Sequence, residues 1–192
     1  SIGAATSPWR RLTLRRWYGF LNMQMRVTRR IPRLVTVSES SRRDIVAQMG
    51  VDPDRLRVVP VGVDTSIFRP VPHVERVRGR IMTTASADVP MKGLAPLLEA
   101  VAKLRVERDD AHLVVIGSPR TKSRIPALID HLGLTDVVRF VSGVAQQRIV
   151  DLYAEAEIAV VPSLYEGFSL PAIEAMACGV PVVATTGGAL PE

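Results

Sequence analysis

An α/β fold, with a parallel sheet flanked by helices on both faces, is what this sequence of 192 residues predicts. Three observations carry it. Strand-like and helix-like segments alternate with short connections from residue 80 onward. The apolar runs HLVVI at 112–116 and IAVV at 158–161 are short, unalternated and bounded by turn residues, as strands covered on both faces must be. Apolar residues make up 47% of the chain and charged residues 23%, which excludes a disordered, collagen-like or disulfide-stapled chain.

In chain order, residues 9–31 place Trp9, Leu12, Trp17, Phe20, Leu21 and Met25 at helical spacing among arginines, a long basic amphipathic helix. A strand follows at 34–37, and the serines at 38–41 offer N-cap chemistry for a helix over 42–49 that Gly50 can end. Residues 57–61 read as a strand. Periodicity is then lost over 62–72, where Pro70 and Pro72 give linker chemistry. The expected domains are therefore 1–70 and 71–192. In the second, strands are expected at 80–85, 112–116, 137–141, 157–161 and 180–184, and helices at 93–107, 122–132, 145–155 and 170–177.

Cys178 is the single cysteine, so no internal disulfide exists, and it reads as a small buried residue ending a helix. The arginine-rich start lacks the apolar core of a secretory signal, which points to a cytoplasmic setting. No apolar run approaches the roughly 20 residues that span a bilayer. The net charge of +6 favours anionic partners, and it is concentrated: the first 43 residues carry ten arginines against Glu39 alone. The aromatic-arginine helix suits either packing against another domain or docking peripherally on an anionic membrane, the first being preferred because arginines are common on any exposed helical face. Nucleic acid is not an expected partner, since the sheet edge lacks interleaved aromatics. Asp109 and Asp110 read as a solvated turn at the wrong sheet edge for metal binding.

Ligands of open parallel sheets bind beyond the carboxyl ends of the strands, so the loops there are the place to look for chemistry. They hold Ser86, Asp88, Lys92 and Gly93; Gly117 to Arg120; Ser142, Gly143 and Val144; residues 162–171; and Thr185 to Gly188. Pro171 is tolerated only near the start of a helix, which fixes that start around Leu170. The amides of Phe168, Ser169 and Leu170 then face the strand ends, and Gly167 lets a ligand approach the backbone. Such a helix start favours an anion or dense ligand oxygens. Glu166 and Glu174 can each accept from sugar hydroxyls, and Lys92 supplies the cation that a diphosphate needs.

These residues closely resemble the donor-binding domain of retaining glycosyltransferases of the two-Rossmann-domain GT-B architecture, specifically glycosyltransferase family 4. The resemblance runs almost end to end, through TVSESSRRDI, VVPVGVDTSIF, PMKGL, LVVIGS, VRFVSGV, LYAEAEIAVVPSLYEGFSLPAIEAMACGVPVVAT and GGALPE. The long block with two glutamates separated by seven intervening residues is its most specific part. The resemblance implies that Glu174 holds the nucleotide ribose, that Glu166 contacts donor-sugar hydroxyls, that amides at 168–170 reach sugar and phosphate oxygens, and that Lys92 neutralises the diphosphate. Transfer with retention is implied, with no metal and no cofactor beyond the sugar-nucleotide co-substrate. The loop Ser142, Gly143, Val144 is expected near the base.

Two departures from the family pattern stand out. A second phosphate-binding arginine commonly precedes the lysine by five residues, where this chain has Ala87. Arg120 is the candidate replacement, and Asp88 and Ser86 are alternatives. The acceptor-side glycine-rich loop and histidine are also missing from the sequence, so the chain is expected to be an incomplete two-domain unit with little transferase activity alone. The acceptor, whether sugar, lipid or small molecule, is undetermined. A sugar-nucleotide epimerase, a phosphorylase or a non-catalytic nucleotide-sugar module would share the fold.

Overall fold

A computed structural model of the chain describes residues 19–85, 89–119 and 123–192. It divides into two compact units, 1–60 and 61–192. In the first, residues 19–28 form helix α1, within the longer helix expected over 9–31; residues 9–18 lie outside the described residues. Strands β1 (Leu34–Thr36) and β2 (Leu56–Val58) pair in parallel, with helix α2 (Glu39–Met49) between them in sequence. Of the three serines, Ser38 is the N-cap: its Oγ accepts from the Ser41 amide at 3.0 Å, which starts α2 three residues before the predicted position. Gly50 ends α2 in the left-handed conformation, as its position suggested.

The second unit holds a five-stranded, all-parallel sheet ordered β5-β4-β3-β6-β7. Its elements are β3 (Arg80–Thr84), α3 (Leu94–Glu107), β4 (His112–Ile116), α4 (Ile125–His131), β5 (Val138–Val141), α5 (Gln146–Glu155), β6 (Ile158–Val161), α6 (Leu170–Ala177) and β7 (Val182–Ala184). Every expected strand and helix of this unit is present, with ends displaced by up to three residues.

Alternate residues of one strand serve two cores. Leu113 and Val115 join Leu94, Leu98 and Val101 of α3 with Ile125 and Ile129 of α4. Val114 and Met82 instead join Val150 and Tyr153 of α5 with Ala175 and Cys178 of α6. Both faces are dry, which is why the strand sequences show no alternation. No helix among the described residues is long and apolar enough to cross a membrane.

The segment 61–70 belongs to this unit, ten residues ahead of the boundary suggested by its prolines. Asp64 takes the Ser66 amide at 2.9 Å on its carboxylate and the Phe68 amide at 2.9 Å on its carbonyl, folding the segment into a turn. The Ser66 hydroxyl and amide bonds hold the Asp64 carboxyl below the usual carboxylate range. Phe68, only 6% exposed, is thereby delivered into the α5–α6 core.

At the amino-terminal edge of the sheet, Asp110 pairs with Arg78 at 2.9 Å and with Arg108 at 3.0 Å. This corrects the expectation of a solvated Asp109–Asp110 pair for Asp110, while Asp109 is exposed: the start of β3 brings Arg78 and the end of α3 brings Arg108 to Asp110, whose carboxyl is held below its usual range first by the Arg108 hydrogen bonds.

Candidate functional site

The strand order reverses between β3 and β6, and at such a switch point the loops leaving adjacent strands diverge to open a crevice. The loop after β3 ends in a 3₁₀ turn, Pro90–Lys92, which Gly93 closes with φ 68°. A Cβ on Gly93 would overlap the carbonyl oxygen of Pro162, so only glycine allows the β3 and β6 loops to meet backbone to backbone. The Leu164 amide donates to the Met91 carbonyl at 2.8 Å and fastens that contact.

This clasp brings Lys92 to Glu166. The lysine Nζ donates to Glu166 Oε1 at 2.6 Å, and Ser163 Oγ donates to the same oxygen at 2.6 Å. Lys92 is 37% exposed and the Glu166 side chain 11%. The carboxylate is thus screened from water but neutralised, as a buried charge requires. Its Oε2 has no partner among the described residues.

The loop after β7 secures Glu166 from the other side. Thr185 Oγ1 donates to the Ser163 carbonyl. Gly188 forms a parallel bridge with Glu166, and the Ala189 amide donates to the Glu166 carbonyl at 2.8 Å. Gly188 has φ 65°, and a Cβ on it would overlap the Glu166 backbone.

Helix α6 starts at Leu170, with Pro171 in its first turn, as the sequence predicts. Its N-cap, Ser169, has φ 141° and ψ 88° and makes no side-chain cap bond. It is the one non-glycine residue with positive φ among the described residues. It is 7% exposed and its hydroxyl has no partner there. Backbone strain and an unpaired buried hydroxyl coincide at the residue that opens the helix, a combination associated with functional sites. The Phe168, Ser169 and Leu170 amides lie at this start, with Gly167 just before them.

Glu174 sits one turn further along. Tyr153 donates to its Oε2 at 3.2 Å, and burial pushes its carboxyl above the usual glutamate range, with the tyrosine bond opposing the shift.

A cleft of about 400 Å³ opens at this edge, lined by Thr84, Ala85, Lys92, Gly117, Ser118 and Pro171. A larger cavity of about 470 Å³ lies at the amino-terminal edge between Arg76, Leu104, Arg108 and Glu157. There Arg108 bonds Glu157 at 3.3 Å and Arg76 bonds the Gly179 carbonyl oxygen at 2.7 Å, at the edge opposite the carboxyl ends of the strands. The smaller cleft is the better site, because its cation, hydroxyls and helix start converge on open space. A cation beside unpaired amides suits a diphosphate, and carboxylate oxygens suit sugar hydroxyls.

Other expected positions fall elsewhere or outside the description. Ser142 and Gly143 are exposed, and Val144 lines a separate groove with Arg139 and Arg148. No described contact joins this loop to Lys92 or Glu166. Ser86, Ala87, Asp88 and Arg120 lie outside the described residues. His112 starts β4, at the edge opposite the cleft.

Three contributors escaped the sequence reading. Ser163 was legible in principle as a hydroxyl three residues before Glu166 in one loop. Thr185 lay in a loop already singled out. Tyr153 carried no signal, since its spacing on α5 marks only a core position.

Comparison with known proteins follows the same lines. The family model described as glycosyl transferases group 1 matches residues 70–192, and that described as Glycosyltransferase Family 4 matches residues 3–67. The MMP alpha-(1->4)-mannosyltransferase of Mycolicibacterium hassiacum is 52% identical over 189 residues, which is 98% of this chain and 45% of that protein. The D-inositol 3-phosphate glycosyltransferase of Kineococcus radiotolerans is 35% identical over 184 residues, 87% of this chain and 42% of that protein. The chain therefore spans less than half the length of these curated relatives. Among solved structures, sucrose-phosphate synthase from Thermosynechococcus elongatus aligns with TM-score 0.77 at 26% identity, over 88% of this chain and 44% of that one. The C-terminal domain of a group 1 glycosyl transferase from Francisella tularensis aligns with TM-score 0.58 at 31% identity, over 68% of this chain and 74% of that one. Anabaena HepE, in a complex with UDP and glucose, shares the fold with TM-score 0.75 at 22% identity, over 88% of this chain and 48% of that one.

Proposed function

The chain belongs to the group 1 glycosyl transferases, and from that footing we propose that its cleft holds a nucleoside-diphosphate hexose and that the intact protein transfers the hexosyl group to an acceptor with retention. The observation that carries the reading is the Lys92–Glu166 pair, bonded at 2.6 Å at the switch point of the sheet. A relative of 52% identity is named a mannosyltransferase, which supports a mannosyl donor within the hexose class.

In this reading the diphosphate lies between Lys92 and the start of α6. The bond from the sugar C1 to the leaving phosphate oxygen breaks, and that oxygen takes the electron pair. Lys92 and the amides at 168–170 are in place before the charge develops, so no solvent has to reorganise. The acceptor hydroxyl oxygen bonds to C1 on the same face and passes its proton to the leaving phosphate. Glu166 orients the donor through its free Oε2, and Glu174 takes the ribose hydroxyls. Charge neutralisation is assigned to Lys92 and not to a metal. The domain assignment accords the donor to residues 71–192 and the acceptor to the rest of the intact protein.

The test is to incubate the intact protein with UDP-, GDP- and ADP-linked hexoses together with a panel of sugar, lipid and small-molecule hydroxyl acceptors, follow nucleoside diphosphate release, and read the anomeric configuration of the glycoside formed by NMR. Release from one donor with retained configuration is expected. Binding of a donor without any release would overturn the transferase reading in favour of a binding module, and an inverted product would overturn the same-face mechanism.

A further inference from the structure

The carboxylate of Glu174 is gripped from behind by a phenol on a different helix. Tyr153, in the last turn of α5, is 2% exposed. Its ring stands edge-on to Phe68, with centroids 6.5 Å apart and planes at 69°, so the ring has a defined orientation. Its hydroxyl lies 3.2 Å from Glu174 Oε2 and 3.2 Å from the Pro171 carbonyl oxygen. Burial pushes the phenol well above its ordinary range, so it remains a donor at every working pH. One proton therefore serves two acceptors, and both belong to the first turns of α6: one is the backbone of the helix start, the other the Glu174 carboxylate. The second carboxylate oxygen, Oε1, has no partner among the described residues.

We propose that Tyr153 is a positioning residue for Glu174, tying the carboxylate to the backbone of the α6 start so that Oε1 is held ready for the ribose of the nucleotide. The inference rests on the reading of Glu174 as the ribose-holding residue. An unrestrained glutamate gives up three side-chain torsions when a ligand arrives; a glutamate already held by Tyr153 gives up fewer, and the difference appears as affinity. A phenylalanine would fill the same space in the α5–α6 core, so packing alone does not account for the hydroxyl.

The arrangement also couples to pH. Tyr153 from α5 is the titratable group acting on Glu174 among the described residues; Cys178 from α6 instead feels Glu174, its thiol being pushed up to about 11 first by burial and then by the glutamate charge, and both Tyr153 and Cys178 are neutral near pH 7. The tyrosine bond favours the ionised carboxylate, against its burial. Removing the hydroxyl is therefore expected to move the acid limb of ribonucleotide binding to higher pH.

The experiment uses the intact protein and whichever of UDP and GDP it binds, compared with the 2′,3′-dideoxy form of the same nucleotide, by calorimetry. Glu174→Gln is expected to weaken the ribonucleotide at least tenfold and the dideoxy form little. Tyr153→Phe is expected to weaken the ribonucleotide about 3- to 10-fold, the loss of one hydrogen bond. It is expected to leave the dideoxy form unchanged, to add nothing on the Glu174→Gln background, and to raise the pH midpoint. If Glu174→Gln has no effect, the ribose reading itself fails. If it weakens binding while Tyr153→Phe does not, or if Tyr153→Phe weakens both nucleotide forms equally, the positioning role fails and the ribose reading stands. Should Tyr153→Phe lose its cooperative melt, 3-fluorotyrosine placed at 153 provides a stronger donor that is expected to lower the pH midpoint of binding; an unmoved midpoint overturns the proposal.

Discussion

Replacing Ser169 with glycine is expected to make the ligand-free protein more stable while making nucleotide less able to stabilise it. Ser169 has φ 141° and ψ 88°, which an L-residue rarely adopts and which glycine, lacking a Cβ, adopts at lower steric cost. A side chain held in such a region costs of order 1–3 kcal/mol. The Ser169 hydroxyl is also buried without a partner among the described residues, and a lost hydrogen bond of this kind costs roughly 1–3 kcal/mol. Glycine relieves both and returns roughly 0.5–1 kcal/mol through the greater freedom of the unfolded chain. The net gain is at least about 1 kcal/mol, a rise in Tm of a few degrees for a protein of this size. The assay is a thermal melt of intact wild type and Ser169→Gly, each with and without saturating nucleoside diphosphate. A free variant that melts at or below the wild type would refute the argument from strain. A gain in the free state with undiminished ligand stabilisation would refute the view that the hydroxyl is kept unpaired for a ligand.

Other expectations follow from the same geometry. Glu166→Gln removes the charge that Lys92 and Ser163 both contact; steady-state turnover is expected to fall 10²- to 10³-fold, in the range seen for preorganised electrostatic groups, with nucleoside diphosphate affinity changing less than tenfold. Gly188→Ala drives a Cβ into the Glu166 backbone from a left-handed conformation; a loss of roughly 1–3 kcal/mol in urea unfolding is expected, with turnover falling as Glu166 shifts. Nucleotide binding is expected to weaken as pH falls. The sign follows from burial: the neutral form of Glu174 is favoured in the folded protein, its pKa is raised, and the ionised acceptor disappears on acidification at a higher pH than for an ordinary glutamate. Isothermal titration across pH 4.5–8 reads this, and a midpoint at or below the ordinary glutamate value would count against it.

The fold was legible because each strand carries its own message. The run at 112–116 lacks alternation since Leu113 and Val115 face one helical layer and Val114 the other, and that arrangement can be read from apolar residues alone. Helix ends were less legible where several residues qualify: Ser38, Ser40 and Ser41 can all cap, and the choice depends on where β1 ends. The segment 61–70 looked like linker because prolines mask the packing of Phe68, a tertiary contact with no local signature. At the site, Pro171 fixes the helix start through a backbone rule and so was readable. The bond between Lys92 and Glu166 joins residues 74 positions apart, and only the topology of β3 and β6 brings them together. Tyr153 was hidden for the same reason, its hydroxyl acting across two helices.

The account turns on whether the cleft beside Lys92 holds a nucleoside diphosphate. Calorimetric titration of the intact protein and of its Lys92→Met variant with UDP and GDP measures this directly. The expected result is saturable binding of one nucleotide by the wild type, weakened at least tenfold by the substitution, with a cooperative melt retained at a lower Tm because Glu166 loses its counterion. Equal affinity in the two proteins would contradict the account, because the diphosphate would then lie somewhere other than against Lys92.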